Sequence, residues 1–167
     1  MTISKFAPER FRSPAYLNVI DDAAASEKLF INSTCLQNLK HEGKMGFPLE
    51  ICGLLIGVLE NDGWHVSGVR PVANLNSDRA ADRFQLDPAG YQRIDRELRD
   101  SGDEIIGVYH SHPDCPAKPS PTDLNSAWEG FIYPIISVCD GVAVDVRCWT
   151  VNASGEAFMP VDIVETA

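Results

Sequence analysis

The chain has 167 residues, enough for one domain with a sizeable core and too few for two comfortable ones. Its 24 acidic and 14 basic side chains leave a formal net charge of -10, which repels phosphate backbones and argues against a nucleic-acid partner. Apolar residues make up 44%, as in an ordinary globular protein, and the longest apolar run, Ile51 to Leu59, is far too short to span a bilayer, so no membrane partner is expected.

Five cysteines occur, Cys35, Cys52, Cys115, Cys139 and Cys148. Their odd number, irregular spacing and lack of any C-x-x-C argue against a disulfide framework or a four-cysteine metal site. Lys5, Arg10 and Arg12 are not followed by an apolar stretch, so no secretory signal is expected and a reducing cytoplasm is the default location.

Residues 1–27 contain Pro8 and Pro14 and show no sustained periodicity; they read as an N-terminal extension. Leu29-Phe30-Ile31 predicts a short strand. Asn32 or Ser33 can cap a helix that runs to about Met45 and stops at Gly46 and Pro48. Glu50 to Leu59 reads as a buried strand, Asn61-Asp62-Gly63 as a turn, and Trp64 to Val72 as the return strand of a hairpin. Asp87-Pro88 opens a helix, with Asp as N-cap and Pro at the first helical position, expected to end near Gly102. Ile105 to Tyr109 predicts a strand buried on both faces that leads directly to His110. Ser120-Pro121 opens another helix, and three strands follow over Ile132–Cys139, Val142–Thr150 and Glu156–Ile163. Strands and helices without a strict alternation favour an α/β (α+β) fold, a mixed sheet flanked by a few helices.

The stretch that carries chemistry is His110-Ser111-His112-Pro113, followed after six residues by Ser120 and Asp123. Residues two apart on a strand share a face, so the two imidazoles stand about 7 Å apart at the backbone and can converge on one ion. Pro113 ends the strand there. Ser120 as N-cap places Asp123 in the first helical turn, where its carboxylate can supply a third ligand. Three protein ligands and one open position are the pattern of a catalytic zinc rather than a structural one. A water in that position would have its pKa lowered to about 7. The same Ser120-x-x-Asp123 spacing also reads as a capping box, which needs no metal. Spacing alone does not choose between these readings.

The residues just described resemble the signature of the JAMM metallopeptidases, or MPN-plus domains: H-[ST]-H-P, six residues, S-x-x-D. A second family motif, P-x-E-x-C-G-x-L-x-G, is matched by Pro48 to Gly57. The resemblance covers roughly residues 28–163. It implies a single domain with a curved mixed β-sheet flanked by a few helices, of the MPN and cytidine-deaminase-like type. It implies one zinc per chain on His110, His112 and Asp123. It makes Glu50 the general base and Ser120 the donor to the oxyanion. Spacing could not have selected Glu50 over Asp103, Glu104 or Asp114; the family pattern does that.

Some large deubiquitinating relatives hold a second zinc with histidines and cysteines after the motif. No histidine follows Asp123 here, so a minimal stand-alone prokaryotic type is implied. The segments around Trp128, Tyr133-Pro134-Ile135-Ile136 and Val144 to Trp149 resemble forms linked to ubiquitin-like sulfur carriers. The implied activity is hydrolysis of a peptide or isopeptide bond after the C-terminus of a ubiquitin-like or sulfur-carrier protein. The alternative is a catalytically silent metal-binding scaffold for such a partner. Cys115, in the gap of the motif, is a candidate to close the open metal position, while Cys52 reads as core packing.

Overall fold

A computed structural model of the chain describes residues 9–22 and 27–167. The rest of the N-terminal extension, residues 1–8 and 23–26, lies outside the described residues. Among the described residues seven strands form one sheet: β1 (Glu27–Asn32), β2 (Cys52–Glu60), β3 (Gly63–Val72), β4 (Glu104–Pro113), β5 (Ile132–Cys139), β6 (Val142–Val151) and β7 (Phe158–Thr166). Among the described residues four α-helices accompany them: α1 (Pro14–Leu17), α2 (Ser33–Gly46), α3 (Pro88–Glu97) and α4 (Pro121–Asn125). No helix among the described residues is long and apolar enough to cross a membrane.

The sheet is mixed, and it differs from the predicted curved sheet in closing on itself, in the order β1-β3-β2-β4-β5-β6-β7. Closure comes from β1, which runs parallel to β7 over six residue pairs and parallel to β3 over two. β4 and β5 are also parallel, and the other neighbours are antiparallel.

Helix α2 is capped by Asn32, whose side chain accepts from Cys35 N–H at 2.8 Å. It buries Cys35, Leu36 and Leu39 among Leu55, Ile106, Tyr109, Ile136 and Val138 of the sheet. A second core, around Leu54, Val108, Tyr133, Ile135, Trp149 and Phe158, also takes up Ile94 of α3. Helix α3 starts at Pro88 with Asp87 accepting from Ala89 N–H. It stops at Glu97, before the predicted end near Gly102; Gly102 does take a left-handed φ of +83°, in the turn that enters β4.

β4 is buried from Ile105 to His112, and its ladder continues through Pro113. His110 lies opposite Cys52 of β2 and Ile135 of β5, and His112 opposite Ser137. His110 therefore sits on backbone paired on both sides and His112 on backbone paired to β5, which fixes their direction. Gly53, next to Cys52, is needed for close approach across the strands. A Cβ there would stand 2.2 Å from the Tyr109 hydroxyl and 2.5 Å from the Arg70 carbonyl oxygen.

Candidate metal centre and active site

The structure brings Glu50, His110, His112, Ser120 and Asp123 to one place, at the end of β4, the entry to β2 and the start of α4. Nε2 of His110 and Nε2 of His112 are 3.1 Å apart. Asp123 approaches the same two nitrogens, Oδ1 at 3.4 Å from His110 and Oδ2 at 3.6 Å from His112. The Glu50 carboxylate faces the pair from another side, and its donor atom and the two ring nitrogens all lie within 4.8 Å of one another. Glu50, His110 and His112 are all under 8% exposed.

Each side chain is held by local chemistry. The capping box of α4 is present: Ser120 Oγ accepts from Asp123 N–H at 3.1 Å, and Asp123 Oδ2 accepts from Ser120 N–H at 2.8 Å. Capping and metal binding are therefore compatible, since the cap aims the carboxylate and leaves Oδ1 toward His110. His112 Nδ1 lies 2.8 Å from the Pro116 carbonyl oxygen, which places the ring proton on Nδ1 and turns the Nε2 lone pair inward. Ser111, fully buried between the two histidines, accepts from Ile51 N–H at 2.9 Å and donates its own N–H to the Ile51 carbonyl at 3.0 Å. It ties the histidine strand to the residue that follows Glu50.

Asn74 is a second anchor. Its amide donates to the carbonyls of Glu50 and Arg83, both at 3.1 Å, and its oxygen accepts from Asn76 and Gln85 N–H. The loop that carries Arg83 and Phe84 is thereby fixed to Glu50, and Phe84 stacks on His110 with ring centroids 4.5 Å apart. No motif in the sequence marked Asn74 or Phe84. The sulfur of Cys115, a candidate to close the metal position, accepts from Arg10 Nη2 at 3.1 Å.

A cation fits this donor set. With His112 protonated on Nδ1, its inward nitrogen is an acceptor, and two carboxylates converge on the same spot. Separations of 3.1, 3.4 and 3.6 Å are close to the roughly 3.3 Å edge of a tetrahedron with bonds of about 2.0–2.1 Å. Burial opposes charge on His112, yet the Asp123 and Glu50 carboxylates carry its pKa above the usual value. Burial also opposes charge on Asp123, yet the two imidazoles hold it well below the carboxylate range. Glu50 goes the other way: burial raises its pKa, against the pull of His110 and His112.

Two openings flank the cluster. A small cavity of about 40 Å³ is lined by Glu50, His112, Ser120 and Asp123 together with Arg10 and Arg83. Phe11 and Tyr16 also line it, their rings 4.9 Å apart, with the Phe11 ring 6.2 Å from that of His112. A wider apolar groove of about 390 Å³ lies beyond His110, lined by Leu86, Tyr91, Val108, Trp128 and Tyr133. The two share Phe84, Asp123 and Ser126.

A family model described as prokaryotic homologs of the JAB domain matches residues 33–152, well over half of the chain. The chain belongs to this prokaryotic JAB (JAMM/MPN) family. The JAB chain is similar to a desampylase of Haloferax volcanii, 38% identical over 99 residues that cover 58% of this chain and 68% of that one. It is similar to the CysO-cysteine peptidase of Mycobacterium tuberculosis, 25% identical over 138 residues covering 82% and 92%. A solution structure of a protein from Desulfitobacterium hafniense matches the JAB fold with a TM-score of 0.71 at 25% identity, covering 83% of this chain and 92% of that one.

Proposed function

We infer that this JAB protein is a zinc-dependent metallopeptidase that cuts the peptide or isopeptide bond following the C-terminus of a ubiquitin-like or sulfur-carrier protein. The observation that carries this reading is the convergence of two imidazoles and two carboxylates on one point, with the Asp123 carboxyl pushed down and the Glu50 carboxyl pushed up from the usual range. Such a split separates a permanently charged ligand from a proton carrier. Asp123, held ionised and aimed by its cap, joins His110 and His112 in holding one zinc. Glu50, with its raised pKa, is the proton carrier. Residues 28–163 form the catalytic domain and residues 1–27 its extension, in a cytoplasmic protein.

When bound, zinc supplies Lewis acidity that polarises the scissile carbonyl and makes hydroxide available near pH 7. Glu50 takes the proton of the attacking water and passes it to the leaving amine nitrogen. Its burial matches its proton affinity to that task. Ser120 Oγ accepts from Asp123 N–H, so its own O–H is free to donate to the oxyanion. His112 is kept in one tautomer by Pro116, and Ser111 and Asn74 hold Glu50 in register with it. The acyl chain reaches the site along the groove under Trp128, which stands 53% exposed at its edge. The names of the desampylase and the CysO-cysteine peptidase support the class of partner.

The test is cleavage of fusions in which a ubiquitin-like domain ending in Gly-Gly carries extra residues, read by mass spectrometry. The zinc-loaded chain should cut after the second glycine. Glu50→Gln should lower kcat by about 10²- to 10⁴-fold, the contribution of a general base, with zinc retained. Full activity in Glu50→Gln would remove the base assignment. No cleavage by the loaded wild type across a panel of tails would favour the scaffold reading.

A further inference from the structure

The small cavity carries a charge pattern that hydrolysis itself does not require. In a chain with a net charge of -10, two guanidiniums, Arg10 and Arg83, line the same 40 Å³ space as Glu50 and Ser120. Among the described residues neither stands within ion-pair distance of a carboxylate; the arginines that do are Arg70, Arg79 and Arg147. Asp82, the acid on the same wall, is gripped by Arg79 through two contacts of 3.1 and 2.5 Å. Arg10 spends one donor on the neutral Cys115 sulfur and otherwise lies over the Phe11 ring at 5.3 Å. Arg83 spends one on the Asp82 carbonyl at 3.0 Å. A guanidinium has five donors, so most of theirs remain free.

Position and size define what these donors can take. The cavity adjoins Glu50, the group that protonates the leaving amine, and lies across Asp123 from the apolar groove that receives the acyl chain. A volume of about 40 Å³ holds roughly three waters, the size of a carboxylate group. Phe11 and Tyr16 line the cavity beside these charged groups. In a free amino acid the carboxylate is two bonds from the amine nitrogen, so it would sit in this cavity when the amine sits at Glu50. Asn74 holds the Arg83 carbonyl, and the Cys115 sulfur accepts from Arg10.

We propose that Arg10 and Arg83 form a subsite for the free α-carboxylate of the leaving group, making this enzyme selective for a single C-terminal amino acid linked to the partner's tail rather than for an isopeptide-linked protein. The proposal rests on the hydrolase reading above and names its leaving-group class.

Binding tests it without turnover. The zinc-loaded full chain with Glu50→Gln is titrated with a peptide ending in Gly-Gly-Ala, once as the free acid and once as the C-terminal amide. The acid should bind about 10- to 100-fold more tightly, the range of a charge-assisted hydrogen-bonded pair. Adding Arg10→Gln or Arg83→Gln should bring the ratio toward one, and Arg10→Lys, which keeps the charge, should retain part of it. Equal affinities for acid and amide, binding of neither, or a ratio untouched by both arginine variants would overturn the subsite. Cleavage of the amide peptide by the wild-type chain is scored separately. It sustains the hydrolase reading even where the subsite fails, and loss of all cleavage strikes that reading and not the binding ratio.

Discussion

Replacing Ser111 with alanine removes one hydroxyl from a position with no exposed surface. In the native chain that oxygen accepts from Ile51 N–H at 2.9 Å, and the paired Ser111 N–H to Ile51 carbonyl bond measures 3.0 Å. The substitution keeps the second bond and leaves the Ile51 N–H unmade. A buried donor left without a partner costs about 1–3 kcal/mol. For a chain of this size each kcal/mol moves the melting midpoint by about 2–4 °C, so Ser111→Ala should melt roughly 2–12 °C lower. Ile51 follows Glu50, so kcat on a Gly-Gly fusion should fall as well, while zinc stoichiometry holds because no ligand is touched. Ser111→Thr, which restores the acceptor, should recover both. The assay is thermal melting of zinc-loaded protein, with metal content and turnover on the same samples. A midpoint within about 1 °C of wild type would refute the bridge, and a loss of zinc in Ser111→Ala would refute its separation from the metal ligands.

Gly53→Ala places a methyl 2.2 Å from the Tyr109 hydroxyl and 2.5 Å from the Arg70 carbonyl, both held within the sheet. Overpacking there should cost about 1–3 kcal/mol or more, read as a lower denaturation midpoint at unchanged m-value, and a neutral effect would show that the strands can part. Zinc affinity should depend on pH through His112, whose pKa lies above 6.5 and which ligates only when neutral. Affinity is then full above the raised value and lost as pH falls through it, so chelator competition should show weakening that begins above pH 6.5. Affinity constant from about pH 8 to pH 5 would contradict the ligand assignment.

Much of the path to the site could be read from residue types alone. Asn32 and Asp87 cap helices where short polar residues precede apolar periodicity, and the apolar runs of β4 and β5 are buried strands. The H-x-H spacing places two imidazoles on one face because the ladder of β4 continues to Pro113. What could not be read was long-range. Closure of the sheet depends on β1 pairing with both β7 and β3, partners distant in sequence and with no local signal. Glu50 is brought to the histidines by β2 pairing with β4, which spacing does not encode; a family motif was needed to single it out. Arg10, Phe11 and Tyr16 come from a segment without periodicity. That segment reaches the cleft because Ile20 bridges to Phe158 and holds the chain against β7. Helix α3 ended early at Glu97, since the left-handed glycine at 102 belongs to the turn into β4 and not to the helix cap.

The most direct measurement of the metal centre is zinc content by native mass spectrometry, comparing the wild-type chain with His110→Ala, His112→Ala and Asp123→Ala after each is reconstituted with equimolar zinc and exchanged into metal-free buffer. One zinc per wild-type chain, and none retained by any of the three folded variants, is the predicted outcome. A wild-type chain that emerges without metal, or a folded Asp123→Ala chain that holds zinc as firmly as wild type, would contradict it.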